Sequence, residues 1–317
     1  MADLTTTLGG ISLPNPVMTA SGCAANGKEL HRFFDISKLG AFVTKTVMAA
    51  PRSGRGTPRM AETPSGMLNS IGLQGPGIDV FADEDLPWLA SVGARVLVSI
   101  AGGTPAEFAQ VATRLLASPT VSAIAGLEVN ISCPNVASRG QVFAIDPQAS
   151  AQVVAAVREA VPTHLPVFAK LSPDVTDLVA VAAACLDAGA DGLTLINTTL
   201  GMVIDTVRMR PHLGGITGGL SGPAIRPIAV RAIWQVRSAM FAGRLPTVPI
   251  IGVGGVVSGR DALELAAAGA SAIQVGTATF HDPQAPARVL DELAALLDTL
   301  GYAAFTDVVA AAHPERK

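Results

Sequence analysis

Residues 129–136 read VNISCPNV, and they end an apolar run that starts at Ala123. An apolar run that stops at proline and asparagine is typical of a buried strand that enters a loop. The stretch therefore places a thiol, a hydroxyl and two amides where a buried strand opens. Taken alone, it favours a turn with a core cysteine, and the rest of the chain decides whether the cysteine is functional.

Eight apolar segments of this kind alternate with predicted helices along the chain. The predicted strands cover residues 15–20, 41–44, 95–100, 124–131, 166–171, 192–196, 248–253 and 272–275. The predicted helices cover residues 28–39, 106–116, 148–161, 176–188, 224–241, 259–268 and 287–300. This alternation predicts a (β/α)8 TIM barrel. A β-hairpin within residues 4–13 is expected to plug one end of the barrel, and long active-site loops are expected at 48–87 and 199–221.

The alternative to a barrel is an open, doubly wound sheet. Such a sheet needs a G-x-G-x-x-G turn after its first strand to bind a dinucleotide. Residues 21–27 read SGCAANG and do not supply that turn. The 317 residues are 49% hydrophobic, and no linker or change of composition divides them. We therefore expect one domain over residues 1–317.

Charge and composition argue against several classes of function. The net charge is −3 and no long basic run is present, so nucleic acid is not an expected partner. No apolar run reaches the roughly 18 residues of a membrane helix, and the N-terminus lacks a signal sequence, so we expect a soluble, cytoplasmic protein. The three cysteines, Cys23, Cys133 and Cys185, are too few and too scattered for a disulfide framework or a zinc site.

Scarce polar residues fall at the ends of predicted strands, where a barrel of this kind builds its active site. Lys45 and Lys170, two of only five lysines, lie there and indicate an anionic ligand. Asn130 and Asn197 end two other strands and Asn69 lies in the second loop, where amides can both donate to and accept from a planar polar ligand. The alternatives are surface lysines beside misplaced strand ends and, for Asn69, a turn-forming asparagine.

Two glycine-containing pairs, Gly254-Gly255 and Gly276-Thr277, follow the last two predicted strands. This is the usual place for a phosphate in this fold, because backbone N–H groups can hold it there. Glycine pairs are also common at ordinary strand ends, so the prediction rests on the two pairs together.

Cys133 is the candidate catalytic residue among the cysteines. A thiol that a neighbouring cation or backbone dipole activates suits the removal of a proton next to a carbonyl group. Cys23 has only small neighbours and Cys185 lies in an alanine-rich helix, so both are expected to pack in the core.

The motifs resemble one family, the dihydroorotate dehydrogenases, which are FMN enzymes of pyrimidine synthesis. The matching stretches occur in order and span nearly the whole chain. They are Asn15-Pro16 to Ser21-Gly22, Lys45-Thr46, Asn69-Ser70-Ile71-Gly72-Leu73, Asn130-Ile131-Ser132-Cys133-Pro134-Asn135, Lys170-Leu171-Ser172, Ile196-Asn197-Thr198, Gly218-Gly219-Leu220-Ser221-Gly222, Gly254-Gly255 and Gly276-Thr277.

The resemblance implies a role for each motif in the oxidation of (S)-dihydroorotate to orotate. Cys133 would be the general base that takes a proton from C5 while C6 passes a hydride to N5 of FMN. The residues that would hold the substrate are Lys45, Asn69, Ser70, Ile71, Gly72, Leu73, Asn130, Asn197 and Thr198. The residues that would hold one FMN per chain are Ser21, Lys45, Thr46, Ser99, Asn130, Lys170, Ile196, Gly222, Gly254, Gly255, Gly276 and Thr277, with Lys170 at the pyrimidine edge of the flavin and the last four at its phosphate.

The resemblance also implies a class and a set of partners. A cysteine base without an N-terminal membrane-binding extension is similar to the soluble class 1, and residues 218–223 are most like its NAD-linked subtype B. That subtype is a homodimer of FMN subunits with a second subunit that carries FAD and a 2Fe-2S cluster, together a heterotetramer. Three distant cysteines cannot supply the four thiolates of such a cluster, so electrons bound for NAD would leave through the partner.

Two alternatives and one departure remain at this point. The fumarate-linked class 1A enzymes are the first alternative. A flavin-free barrel lyase or isomerase that acts on a phosphorylated substrate through a lysine Schiff base is the second. The departure is Ser99, which stands where the family often has an asparagine that contacts the flavin.

Overall fold

Short strands and helices alternate from one end of the chain to the other in the computed structural model, which describes residues 1–132 and 143–316. Within these residues the strands are β1 (Thr6–Leu8), β2 (Ile11–Leu13), β3 (Val17–Thr19), β4 (Phe42–Val43), β5 (Met60–Thr63), β6 (Gly66–Asn69), β7 (Val96–Ile100), β8 (Ile124–Asn130), β9 (Val167–Leu171), β10 (Gly192–Leu195), β11 (Thr199–Gly201), β12 (Ile204–Asp205), β13 (Arg210–Pro211), β14 (Gly218–Ser221), β15 (Ile250–Val253) and β16 (Ala272–Val275). The α-helices are α1 (Ile78–Val80), α2 (Leu86–Ser91), α3 (Pro105–Leu116), α4 (Pro147–Ala160), α5 (Leu178–Asp187), α6 (Arg226–Phe241), α7 (Gly259–Ala268) and α8 (Ala285–Leu300).

Eight parallel strands form a sheet that curves until its two edges meet. Their spatial order is also their order in the chain, namely β3, β4, β7, β8, β9, β10, β15 and β16. The edges β3 and β4 are joined by a parallel bridge between Met18 and Ala41 and by a hydrogen bond from Gly40 N to Val17 O. Helices connect each later strand of the barrel to the next, whereas β3 and β4 are joined by a segment with two 3-10 turns. The predicted (β/α)8 barrel is therefore confirmed, and the open doubly wound sheet is not the fold of this chain.

The predicted N-terminal hairpin closes the bottom of the barrel. Gly9 and Gly10 both have positive φ angles, of 53° and 88°, which suit the tight turn between two antiparallel strands. The turn directs Leu8 and Leu13 into one cluster with inward-facing residues of the barrel, including Phe168. Because apolar side chains fill this end, no room is left there for a ligand, and a site has to lie at the opposite end.

Four of the helices that follow barrel strands begin where a side-chain oxygen caps them. Thr104, Asp146, Asp177 and Ser258 each accept a hydrogen bond from a backbone N–H in the first turn of α3, α4, α5 and α7. Such caps satisfy N–H groups that have no partner within the helix. They fix where each strand-to-helix loop ends, and these loops border the upper end of the barrel.

Both long loops contain regular structure that the sequence analysis did not predict. Strands β5 and β6 of the second loop pair with β14 and β11 of the sixth loop in a four-stranded antiparallel sheet, in the order β11, β14, β6, β5. The end of the loop predicted at 48–87, a stretch dense in proline and glycine, is helical instead: α1, a π-helical turn at Phe81–Asp85 and α2 follow one another over residues 78–91. Pro87 lies in the first turn of α2, where its missing N–H group breaks no hydrogen bond.

The predicted helix at 28–39 is wrong. The structure has only two 3-10 turns there, Leu30–Arg32 and Ile36–Lys38. Between them Asp35 adopts an extended backbone, and its carboxylate accepts a hydrogen bond of 3.0 Å from Ser37 N. This local side-chain contact competes with helical hydrogen bonds and interrupts the helix.

The plug predicts an effect on stability. Replacing Leu13, which is 1% exposed, by alanine should lower the free energy of unfolding by about 2–5 kcal/mol, since it removes apolar contacts and leaves a cavity. Leu200→Ala is the matched control, because Leu200 is 55% exposed and its loss should change the value by less than about 0.5 kcal/mol. Urea unfolding followed by circular dichroism measures both, and equal midpoints for the two variants would refute the plug's contribution.

Candidate functional site

A cavity of about 350 Å³ opens at the upper end of the barrel, where the parallel strands end. Its volume lies in the range that small-molecule and cofactor sites occupy. Residues after β3, β4, β10, β15 and β16 and the last residues of β8 and β9 line its floor, and β6 and β14 of the antiparallel sheet line its wall. The cavity is thus built where the strand-end rule places an active site in this fold.

A hydrogen-bond network of hydroxyls and amides crosses the floor of the cavity. Thr46 is its centre, because Thr46 Oγ1 lies 3.1 Å from Ser21 Oγ, 3.0 Å from Ser99 Oγ and 3.1 Å from Asn130 Nδ2. Asn197 Nδ2 donates to Asn130 Oδ1 at 3.3 Å and thereby extends the network to the end of β10.

Ser132 links the two amides from the other side. Ser132 Oγ donates to Asn130 Oδ1 at 3.2 Å and accepts from Asn197 Nδ2 at 2.6 Å. Asn197 Oδ1 in turn accepts from Thr198 N at 2.8 Å. Since each amide has a fixed partner on either side, the orientation of its donor and acceptor atoms toward the cavity is fixed as well.

A buried ion pair lies beside this network. Lys170 Nζ is 3.1 Å from Glu128 Oε1, and the two side chains are 6% and 0% exposed. Gln274 Nε2 donates to Glu128 Oε2 at 2.7 Å, and Gln274 Oε1 lies 3.5 Å from Lys170 Nζ. Lys170 and Gln274 line the cavity, whereas Glu128 does not.

The charged side chains among the described lining residues are both cationic. Among the lining residues within 1–132 and 143–316 are the two lysines Lys45 and Lys170 and no acidic residue. Lys45 reaches the cavity from the loop after β4, and Lys170 from β9. The arrangement favours an anionic ligand, as the sequence predicted from the same two lysines.

The antiparallel sheet supplies the wall with Asn69 and the backbone after it. Asn69 Nδ2 donates to Gly219 O of β14 at 3.3 Å, which ties the second loop to the sixth. Ile71, Gly72 and Leu73 then follow the wall, and Gly72 and Leu73 have positive φ angles of 76° and 54°. This turn keeps the backbone of the second loop against the cavity.

Glycines form the end of the cavity after β15. Gly254 and Gly255 have φ angles of 137° and 73°, which side chains rarely allow. A Cβ atom on Gly255 would lie 2.9 Å from Arg226 N, so a larger residue has no space there. Gly276 and Thr277 lie at the same end. Close approach of bare backbone is the feature by which such loops receive a phosphate group.

Most of the predicted site residues line this one cavity. They are Ser21, Lys45, Thr46, Asn69, Ile71, Gly72, Leu73, Asn130, Lys170, Ile196, Asn197, Thr198, Gly222, Gly254, Gly255, Gly276 and Thr277. The predicted base, Cys133, lies outside the described residues, directly after Ser132.

Two predicted site residues, Ser70 and Ser99, do not line the cavity. Both are 0% exposed. Ser99 stands where the resemblance suggests an asparagine. Its Oγ contacts Thr46 Oγ1, so the serine lies one layer behind the residues that line the cavity. Ser70 Oγ lies 3.5 Å from a guanidinium nitrogen of Arg55. In this structure each side chain contacts a loop or strand-end residue, and the role of both serines toward a ligand stays a prediction.

Several lining residues were not predicted from the sequence. Gln274 lies inside an apolar strand rather than at its end, and Glu128, its partner, lies in the middle of β8. A charged residue within an apolar strand was the available signal for Glu128, because an acid is rarely buried without a partner. Met60 and Met67 line the wall because β5 and β6 pair with distant strands, which no local pattern shows.

The two cysteines that the structure describes, Cys23 and Cys185, lie in different parts of the barrel, but the pKa of both thiols is raised. Cys185 is buried in α5, and burial raises the pKa of its thiol to about 12. Cys23 lines the cavity, which the sequence analysis did not anticipate. Burial raises the pKa of the Cys23 thiol to about 11, although the nearby Lys170 and Lys45 cations act to lower it. Neither is an activated nucleophile.

Two further kinds of site were searched for in the described part of the chain. No group of three or more histidine, cysteine or acidic residues among them could hold a metal ion. No helix in the same residues is long and apolar enough to cross a membrane.

Comparison with known proteins gives a single family. Residues 3–297 match the family described as Dihydroorotate dehydrogenase. Several relatives carry the name dihydroorotate dehydrogenase B (NAD(+)), catalytic subunit. The protein of Pelobacter propionicus is 52% identical over 309 residues, 98% of each chain; that of Geotalea daltonii is 53% identical over 283 residues, 89% of each chain; and that of Anoxybacillus flavithermus is 49% identical over 302 residues, 95% of this chain and 93% of its own.

The raised pKa values predict that two of the three thiols are unreactive. At pH 7.5, well below both values, Cys23 and Cys185 are protonated, and only the thiolate reacts fast with iodoacetamide. Peptide mass mapping after brief alkylation of the folded chain should find both unmodified, whereas alkylation in guanidinium chloride should modify all three cysteines. Labelling of Cys23 in the folded chain as fast as in the unfolded one would contradict the raised pKa.

Proposed function

Because the chain belongs to the dihydroorotate dehydrogenase family, we propose that it oxidises (S)-dihydroorotate to orotate in pyrimidine biosynthesis, with one FMN in the cavity at the top of the barrel. The observation that carries the proposal is the convergence of the family's motifs on one cavity with two lysines and a glycine-rich end. Membership of this family argues against the alternative of a flavin-free lyase or isomerase.

The cavity is suited to FMN at both of its ends. Backbone at Gly254, Gly255, Gly276 and Thr277 would hold the phosphate, since these residues line one end of the cavity and the glycines leave the backbone there uncovered by side chains. Lys170 would face the pyrimidine edge of the flavin, where a fixed cation stabilises negative charge. Bound FMN would supply the acceptor for a hydride.

The amide network would hold the substrate. Asn69, Asn130 and Asn197 present both donors and acceptors, and the network fixes their orientation. Lys45 would pair with the substrate's carboxylate, because it is the second cation of the lining. Dihydroorotate carries one carboxylate and a ring of amide groups, which matches this set of side chains.

Cys133 would act as the general base in this proposal. It follows Ser132 in the sequence, and the Ser132 hydroxyl bridges the two lining amides Asn130 and Asn197. The thiolate would take the proton from C5, and the hydride would leave C6, so the ring gains its double bond. Orotate, the reduced cofactor and the protonated thiol are then the products of the step.

We further propose that the electrons pass to NAD through a separate subunit with FAD and a 2Fe-2S cluster. The relatives are named as NAD(+)-linked catalytic subunits, which supports this choice over the fumarate-linked class 1A. Cys23 lines the cavity after β3 and Cys185 is buried in α5, so these two thiols are not placed to hold one iron–sulfur cluster. The proposal includes a cytoplasmic homodimer that forms a heterotetramer with this subunit.

The cofactor and substrate are tested together by an absorption spectrum. The purified chain should show a flavin band near roughly 450 nm that anaerobic dihydroorotate bleaches. Lys45→Met should lower kcat/KM for dihydroorotate roughly 10- to 100-fold, because a charged hydrogen bond is worth about 1.5–3 kcal/mol. Lys38→Met, on the exposed surface, is the matched control. A flavin that dihydroorotate leaves oxidised would refute the substrate.

The acceptor is tested with the chain alone and with its partner. The chain alone should reduce an artificial dye with dihydroorotate but not NAD, because the proposed route to NAD runs through the second subunit. Adding the FAD and iron–sulfur subunit should restore NAD reduction. Rapid turnover of the isolated chain with fumarate would instead assign it to class 1A.

A further inference from the structure

We infer that Glu128 is a positioning residue for the flavin chemistry: it holds the Lys170 ammonium, as a cation, at the floor of the cavity. This inference rests on the proposed function, because it concerns the electrostatics of the bound flavin. Glu128 itself does not line the cavity, so it would act only through Lys170.

The strand geometry places Glu128 directly beneath the site. Side chains two residues apart on a strand point to the same face, so Glu128 and Asn130 of β8 both face the barrel interior. Asn130 pairs in register with Lys170 of β9. Glu128 therefore lies one layer below the lining, where it is 0% exposed.

Both oxygens of the carboxylate have fixed partners. Oε1 contacts Lys170 Nζ at 3.1 Å, and Oε2 accepts from Gln274 Nε2 at 2.7 Å. Gln274 Oε1 lies 3.5 Å from Lys170 Nζ and closes a triangle of three side chains. Because β8, β9 and β16 each supply one member, the ammonium is fixed relative to three walls of the barrel.

Stability alone does not account for this pair. A buried ion pair costs nearly as much in lost hydration as its attraction returns, and apolar residues of similar size often replace such pairs without loss. The barrel interior below this layer is apolar, so apolar residues in place of Glu128 and Lys170 would have packed against similar neighbours. In this pair the Lys170 cation lines the cavity, whereas its counter-ion Glu128 does not and cannot touch a ligand. Such an arrangement stabilises a ligand that gains negative charge.

Loss of the Glu128 carboxylate should therefore destabilise the reduced form of the flavin. A buried ammonium without its counter-ion is no longer held in place and moves toward water or another acceptor. The cation would then leave the pyrimidine edge, and the anionic reduced flavin would lose stabilisation relative to the oxidised form. The midpoint potential of the bound flavin should fall.

The test compares Glu128→Gln with the unmodified chain by the potential of bound FMN, measured against a redox dye. We expect at least a tenfold shift toward the oxidised form, a fall of about 30 mV for a two-electron couple. Glu128→Asp keeps the negative charge, so it should lower the midpoint potential less than Glu128→Gln does. Glu159→Gln, an exposed acid on α4, should leave it unchanged.

A double-mutant cycle shows whether the effect runs through Lys170. In a Lys170→Met background, Glu128→Gln should cause no further fall, because the cation is already absent. Gln274→Leu, which removes the support of Oε2, should cause a smaller fall and provides the measurement if Glu128→Gln does not bind FMN.

Two results would overturn the inference while the proposed function stands. An unchanged potential in Glu128→Gln would show that Lys170 needs no such anchor. A higher potential would show that Glu128 only attenuates a cation that stays in place without it. If the unmodified chain binds no FMN at all, even after reconstitution, the proposed function itself fails, and the inference fails with it.

Discussion

One hydroxyl group, Thr46 Oγ1, contacts residues from three other barrel strands at the point where the strands end. The contact with Ser21 exists only because the sheet closes. Ser21 follows β3 and Thr46 follows β4, and β3 and β4 are the two edges of the sheet. An open sheet would hold them on opposite sides of the molecule. Closure thus does two things at once: it buries the apolar interior, and it brings scarce polar residues within hydrogen-bonding distance.

The barrel interior is graded from apolar to polar along its axis. Leu8, Leu13 and Phe168 belong to the plugged lower end, Glu128 and Gln274 to the next layer, and Asn130 to the floor of the cavity. Buried polar groups need partners, and a partner is hard to supply inside a packed apolar core. The polar residues of this barrel meet the need from other strands, either adjacent ones, as for Glu128 and Lys170, or one across the interior, as for Glu128 and Gln274. This explains why the polar residues occur as a connected set.

Local patterns in the sequence predicted the barrel and the strand-end part of the cavity lining, whereas the resemblance to a family supplied other lining residues, such as Ser21 and Thr46. An apolar run marks a barrel strand, and a polar residue or a glycine pair at its end faces the site, as for Lys45, Asn197 and Gly254. The sequence did not predict the sheet of β5, β6, β11 and β14, because Asn69 and Gly219 pair across 150 residues. Nor did it predict the role of Glu128, since Lys170 and Gln274, its partners, lie on strands far away in the chain. Non-local pairing, rather than weak propensity, limited the prediction.

Strand β8 brings these points together, because its alternation serves the whole site. Glu128, Asn130 and Ser132 are spaced by two residues, and they contact in turn the lysine, the central threonine and the second amide. Cys133 comes next in the sequence. If the proposed function is correct, this strand and its end carry both halves of the reaction: a cation anchor where negative charge gathers on the flavin, and a base where the proton leaves the substrate. A slip of one residue in the register of β8 would turn these side chains to the opposite face, so the pairing of β8 with β7 and β9 sets the chemistry as well as the fold.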